Sequence, residues 1–291
     1  MAGEMKKEAL ELYEGPGCRH RDYVLAPYRP LPARGPRLHS ATAFRLALEG
    51  AGLLKRAWPL AEALRSALGE DETVWGVTSG PDGVSAELYF YNNALNPRGN
   101  PKSAARVRRI LAPHVSIAGR VPEDLPYFMC SLDLSPQGLS SGRLPEFKVY
   151  LGSSAEGPCG YSYRAEESRL VAENHYHFYR MPGGWGEARD RLKYSPRGGA
   201  APALRERLAP RWLKPRGTVC YAVKPLCDAF YFSRVSTAQA VRFGLEYGSP
   251  FGRLLAERAK GFSHLLWDVS FNFRARRGRA EILKTGLYGV L

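Results

Sequence analysis

The chain has 291 residues, of which 44% are apolar and 11% aromatic, and it carries a formal charge of +14. That apolar fraction is ample for a packed core and excludes a disordered chain, while the length allows one large domain or two small ones. The charge suggests an anionic partner, but it comes mostly from arginines scattered along the sequence, without the clustered stripe of a nucleic-acid footprint.

Residues 14–40 are rich in Pro, Gly and Arg and read as an irregular arm or cover. A helix is expected over 41–68, with alanine and leucine at helical spacing behind Ser40 or Thr42 as cap. Then the period changes. Residues 73–79 form a short β-like run, Gly80-Pro81-Asp82-Gly83 is turn chemistry, and 84–92 is a strand. An amphipathic helix follows at 101–112. Residues 127–135 and 146–152 make a second strand pair, and 159–165 with 169–180 a third. After a helix near 201–212 come 218–224 and 228–235. Two helices span 237–261, interrupted at Gly248-Ser249-Pro250, and the last pair is 264–274 with 280–290. These are ten strands in five antiparallel hairpins, without a parallel crossover series.

Cys18, Cys130, Cys159, Cys220 and Cys227 are odd in number and contain no Cys-x-x-Cys pair, which indicates neither a disulfide framework nor a zinc knuckle. The charged first twelve residues lack a signal peptide's apolar stretch, and no run of 18 apolar residues is present. The expectation is a reduced, soluble, cytoplasmic protein without a membrane partner. No Gly-x-Gly-x-x-Gly follows a strand, and there is no P-loop, Gly-x-Ser-x-Gly, His-Glu-x-x-His or Asp-Asp-x-x-Asp segment.

Alternation within the strands carries more than their number. Ala86, Leu88 and Phe90 oppose Ser85, Glu87, Tyr89 and Tyr91, and Phe147, Val149 and Leu151 oppose Lys148 and Tyr150. Trp267, Val269, Phe271 and Phe273 oppose Asp268, Ser270, Asn272 and Arg274. Each strand thus has one apolar face and one polar, aromatic face. The intervening helices must also bury an apolar stripe, so the apolar strand face is expected to pack on them. The tyrosine-rich face is then exposed or, if the sheet closes, lines an interior.

Three stretches resemble known sequences. Leu132-Asp133-Leu134, a loop, and Phe147-Lys148-Val149-Tyr150-Leu151 resemble the dimethylallyltryptophan synthase strand pair that ends in Lys-x-Tyr. Asp268-Val269-Ser270-Phe271-Asn272-Phe273 resembles its penultimate strand, written with a Ser-Phe-Ser-Tyr core. From Glu72 to Tyr91 the spacing resembles that of cyanobactin peptide prenyltransferases, whose catalytic glutamate stands at the matching place. In these features the chain resembles the ABBA aromatic prenyltransferases. The resemblance implies one α+β domain over 1–291, a closed ten-stranded antiparallel barrel surrounded by helices, with 1–40 as an irregular arm. Two features depart from the pattern: His175-x-His177-x-Tyr179 replaces Arg-x-Lys-x-Tyr, and Ser85 stands nearest the basic residue of the second strand.

The activity so implied is transfer of a dimethylallyl or geranyl group from its diphosphate to an aromatic or other nucleophilic side chain. The acceptor is an amino acid, an indole-like metabolite or a cyclic peptide, as in natural product biosynthesis and peptide modification. No tightly bound cofactor is implied, and Mg2+ entering with the diphosphate is left open. Lys148, Tyr150, His175, His177, Tyr179, Lys224, Arg274 and Lys284 are expected around the diphosphate. Tyr89, Tyr91, Tyr221, Tyr231 and Tyr288 would shield the allylic cation and shape the acceptor pocket. Glu72 would take the acceptor's proton, its side chain sharing a face with Val74, Gly76 and Thr78 at the lumen mouth. His175 and His177 are two apart, but no third ligand is near in sequence, so no metal is expected. The competing reading is a noncatalytic β-barrel that binds an anionic ligand such as RNA, with aromatics and arginines as stacking platforms.

Overall fold

The computed structural model describes residues 7–92, 101–122, 124–153, 159–166, 169–195, 206–208, 210–276 and 279–291. Its strands are β1 (Val74–Gly80), β2 (Gly83–Tyr91), β3 (Ser116–Ile117), β4 (Met129–Leu134), β5 (Arg143–Leu144), β6 (Lys148–Ser153), β7 (Cys159–Ala165), β8 (Leu170–Arg180), β9 (Thr218–Val223), β10 (Asp228–Ser236), β11 (Leu266–Arg276) and β12 (Arg279–Val290). The short β3 and β5 pair in parallel as a separate sheet. The other ten close a barrel in the order β1-β12-β11-β10-β9-β8-β7-β6-β4-β2, each strand antiparallel to both neighbours. These are the ten strands that the alternation predicts. Closure is made by β1 on β12, from Val74 opposite Val290 to Ser79 opposite Thr285.

Helices cover the outside. The single helix expected over 41–68 is two, α1 (Ser40–Gly50) and α2 (Leu54–Leu68). The break includes Gly52 at φ 69°, a left-handed conformation that glycine adopts without a Cβ penalty. The cap of α1 is His39, whose side chain accepts from the Ala41 N–H, rather than Ser40 or Thr42. Next come α3 (Ala104–Leu111), α4 (Pro136–Ser141) and α5 (Trp185–Arg191). Half of the helix expected at 201–212 lies outside the described residues, and residues 206–208 are helical. The final pair is α6 (Thr237–Glu246), opened by a Ser236/Gln239 capping box, and α7 (Pro250–Glu257). These two helices touch backbone to backbone. A Cβ on Gly244 would lie 2.5 Å from the Gly252 backbone, and one on Gly252 would lie 2.6 Å from the Leu245 nitrogen.

The strand faces sort as their alternation requires. Trp75, Val77, Leu88, Phe90, Leu132, Val149, Phe230, Phe232, Trp267, Val269 and Phe271 join the helices in an outer core. Trp75 stacks on Phe44 of α1 at 5.2 Å, and Phe271 meets Phe243 of α6 at 5.9 Å. The residues between them point into the barrel and form a second cluster of their own. With both faces covered, the ladder is shielded on each side, which is the condition that fixes strand register.

Trp75 also donates from Nε1 to the Val290 carbonyl across the closing strand pair, at 3.1 Å. Trp75→Ala therefore removes a buried aromatic where the barrel is sealed. It is expected to cost about 3–5 kcal/mol, read from urea unfolding midpoints at unchanged m-value.

Candidate active site in the barrel lumen

Side chains in the lumen are stratified along its axis. The middle layer is aromatic: Tyr89 from β2, Tyr150 from β6, Tyr176 from β8, Tyr231 from β10 and Tyr288 from β12, all but the half-buried Tyr231 fully buried. Each phenol oxygen has a partner, as buried tyrosines require. Tyr89 donates to Glu87, Tyr150 pairs with Ser131 at 3.2 Å and Tyr288 with Ser270 at 3.0 Å. Tyr176 accepts from Asn174, and Tyr231 accepts from the Lys224 ammonium, each at 3.0 Å. Burial pushes Tyr89, Tyr150, Tyr231 and Tyr288 well above the usual phenol value, so they act as neutral donors and ring faces. Room for Tyr288 comes from Gly76, where a Cβ would meet its ring at 2.7 Å.

Further along the strands a charged layer follows, with Glu87 and Lys148 two residues from Tyr89 and Tyr150 and Lys284 four residues from Tyr288. Lys284 donates to Glu87 at 3.0 Å, Lys148 to Asp133 at 2.7 Å, and Lys224 to Asn272 at 3.2 Å as well as to Tyr231. Burial acts to raise Glu87, but the Lys284 and Lys148 charges and the Tyr89 hydroxyl outweigh it and hold the carboxyl down to about 2. Burial likewise acts to lower Lys148, yet Asp133 and Glu87 keep it above the usual lysine value. Lys148 is therefore cationic at neutral pH.

The opposite layer is the mouth, and the arm occupies it. Residues 21–27 fold on themselves: Arg21 bridges Pro27, Leu25 N–H donates to Asp22 O, and Asp22 Oδ1 accepts from Val24 and Ala26 N–H. Asp22 Oδ2 also pairs with Arg234 at 2.7 Å. Leu25 and Arg234 hold φ near 60°, a conformation costly for residues with side chains. Tyr23 enters the lumen edge-on to Tyr89, Tyr91 and Tyr288, with ring centroids 5.0, 5.9 and 5.1 Å away. Its N–H donates to Asp268 Oδ2 at 3.0 Å. Beside it remains a cavity of about 90 Å³, lined by the tyrosines together with Phe128, Met129, Cys220, Ser233 and Asp268. Asp268 is buried, and its Oδ1 has no hydrogen-bond partner among the described residues. Burial first, and then the Asp22 carboxylate, push Asp268 up to about 8.

The lumen brings together Lys148, Tyr150, Lys224, Lys284, Tyr89, Tyr91, Tyr231 and Tyr288 of the residues singled out from sequence. Others lie elsewhere. His175, His177 and Tyr179 alternate with the inward Tyr176 and Phe178 and so face outward: His175 stacks on Tyr161 at 4.3 Å, and His177 lies 3.0 Å from the Arg191 guanidinium of α5. Tyr221 is in the outer core and donates to Asp228 at 2.6 Å. Arg274 is exposed and pairs with Glu281 at 2.8 Å. Glu72 lies under the arm, held by Arg21 at 2.9 Å, by Lys102 and by Arg19 at 3.5 Å, and is not among the residues lining the cavity. Sequence reasoning missed Asp268 and Tyr23 as site residues. Asp268 shares a strand face with Ser270 and Asn272, a signal that was present, whereas no pattern marked Tyr23.

Two side-chain clusters with metal-ligand chemistry anchor the arm outside the lumen: Glu14 with His20 and His264, and Cys18 with His39 and Asp71. His39 Nδ1 accepts from Ala41 N–H, so Nε2 carries the proton and donates to Asp71 at 2.9 Å. In the first cluster Arg37 Nε lies 2.9 Å from Glu14 and Nη2 lies 3.1 Å from His20, placing a fixed cation beside the would-be ligands. Both read as hydrogen-bonded anchors. No protein-family model matches the chain, and comparison with curated proteins gives no match.

The Asp268 environment sets a pH dependence. The native state holds a proton that the unfolded chain releases near pH 4. Its contribution to stability is thus complete below that value and is lost as pH rises through about 8. Asp268→Asn is expected to remove this decline, so that the mutant gains on wild type in urea midpoint between pH 5 and 8. Parallel pH profiles for the two proteins would refute the buried protonated carboxyl.

Proposed function

We propose that the barrel transfers an isoprenyl group, dimethylallyl or geranyl, from its diphosphate to an aromatic or other nucleophilic side chain of an amino acid, indole-like metabolite or peptide. One observation carries this reading: three lysines stand beneath a layer of neutral tyrosines that faces a partly open aromatic cavity. Breaking the allylic C–O bond leaves a carbocation and a diphosphate. Lys148, Lys224 and Lys284, with the Tyr231 and Tyr150 hydroxyls, suit the departing anion. The ring faces of Tyr89, Tyr176 and Tyr288 suit the cation, and the aromatic wall limits the water that could capture it. The acceptor then bonds to the allylic carbon and gives up its proton. We assign that proton to the ionised form of Asp268, populated as pH approaches 8, whose raised basicity and place at the cavity suit it better than Glu72, which is paired with three cations outside the cavity. Binding of RNA by stacking is supported less well, because it needs exposed aromatics, whereas Tyr89, Tyr150 and Tyr288 are 3–7% exposed.

The test is incubation with dimethylallyl or geranyl diphosphate and a panel of phenol, indole and peptide acceptors, with and without Mg2+. A mass gain of one prenyl unit is expected, and none with any pair would end the proposal. In the active pairing Asp268→Asn should lower turnover by about 10²–10⁴ while donor binding persists. Lys148→Ala and Lys284→Ala should each weaken a nonhydrolysable donor analogue by about 1.5–3 kcal/mol in calorimetry.

A further inference from the structure

We propose that the loop Asp22–Leu25 is an intramolecular plug, and that the aromatic cavity accepts a ligand only in molecules whose arm has left the mouth. The occupancy is direct. Tyr23 fills the space between Tyr89, Tyr91 and Tyr288, and Leu25 belongs to the same lumen cluster. The remaining cavity, about 90 Å³, is far below the roughly 300–1,000 Å³ of small-molecule sites. It is smaller even than the roughly 150 Å³ void that admits benzene. An aromatic acceptor therefore needs the volume that Tyr23 now takes.

The loop is built to move as one body. Its internal hydrogen bonds, donated by the Val24, Leu25 and Ala26 amides to Asp22 oxygens, are independent of the barrel. Its polar ties to the barrel are few: Asp22 to Arg234, which also reaches the Ala26 and Pro27 carbonyls, Tyr23 N–H to Asp268, and Tyr28 Oη with the Leu266 backbone. Leu25 and Arg234, which stand at the two sides of this contact, both hold positive φ angles. The plug rests on the lumen being the ligand space, whatever chemistry is done in it.

Cys220 lines the cavity and Cys130 lies in the outer core, which gives a readout free of any prenyl donor. The full chain and its Tyr23→Ala and Asp22→Ala variants are treated with methyl methanethiosulfonate, and labelling is followed cysteine by cysteine by mass spectrometry. Cys220 should react at least about tenfold faster in both variants, with Cys130 unchanged. Equal Cys220 rates in all three proteins would overturn the plug, and so would parallel acceleration at Cys130, which reports loosening of the whole barrel. Should the variants not fold, hydrogen exchange on the wild-type chain decides. The Tyr23 amide, bonded to Asp268 while the plug is seated, must then exchange at least about tenfold faster than those of β10 and β11, and exchange in step with the strands would overturn the plug. A protein inactive on every prenyl diphosphate, yet opened at Cys220 by either substitution, keeps the plug and loses the transferase.

Discussion

Everything inside this protein follows from the pairing of β1 with β12. An open ten-stranded sheet could wet its polar face, and the tyrosines, lysines and carboxylates there would need no partners. Once Val74–Ser79 meets Thr285–Val290, every second residue of ten strands is taken from bulk water together. Each such group must then be filled against and hydrogen-bonded, because an orphaned buried polar group costs on the order of 1–3 kcal/mol. Tyrosine meets both demands, with a ring that fills volume and a hydroxyl that finds Ser131, Ser270, Glu87 or Lys224.

The charged layer shows the same economy. Three cations at one level of a narrow lumen would repel, and Glu87 and Asp133 set between them make the arrangement tolerable without a bound anion. A diphosphate would exchange one set of acceptors for another, leaving the lysines where they stand. On the reading proposed above, the lysines are fixed in place before the anion arrives, and Glu87 and Asp133 are the groups it must displace. At the other end, the close approach of Asp22 and Asp268 is offset by Arg234 and by a retained proton.

The strands were legible because their alternation is strong where one face is aliphatic. Leu88 and Phe90 against Tyr89 and Tyr91 leave no doubt about which side meets the helices, and the same holds for Val149 against Tyr150. On β8 that contrast is missing: Asn174, His175, Tyr176, His177, Phe178 and Tyr179 are polar or aromatic on both faces, and a bulge opposite Ser162 and Tyr163 resets the register. The family pattern then selected His175, His177 and Tyr179, which are the outward set. Tyr221 misled in another way, since its neighbours Cys220 and Ala222 are small and it is they that face the crowded lumen. The arm was illegible for a deeper reason. Its loop is held by single long-range contacts, such as Asp22 with Arg234, and these leave no period in sequence.

The contact between Gly244 and Gly252 has a consequence for how this protein can vary. With α6 and α7 touching backbone to backbone, neither position can acquire a side chain by a single substitution without prising the helices apart. Phe243 and Phe251, beside the contact, would be displaced with them, and Phe243 is the residue that backs Phe271 on the barrel wall. Drift at these two sites is therefore locked jointly. In diverged descendants of this sequence, two glycines spaced eight apart should outlast most of the leucines around them, serving as a marker of descent even where the lumen has been rebuilt for a different ligand.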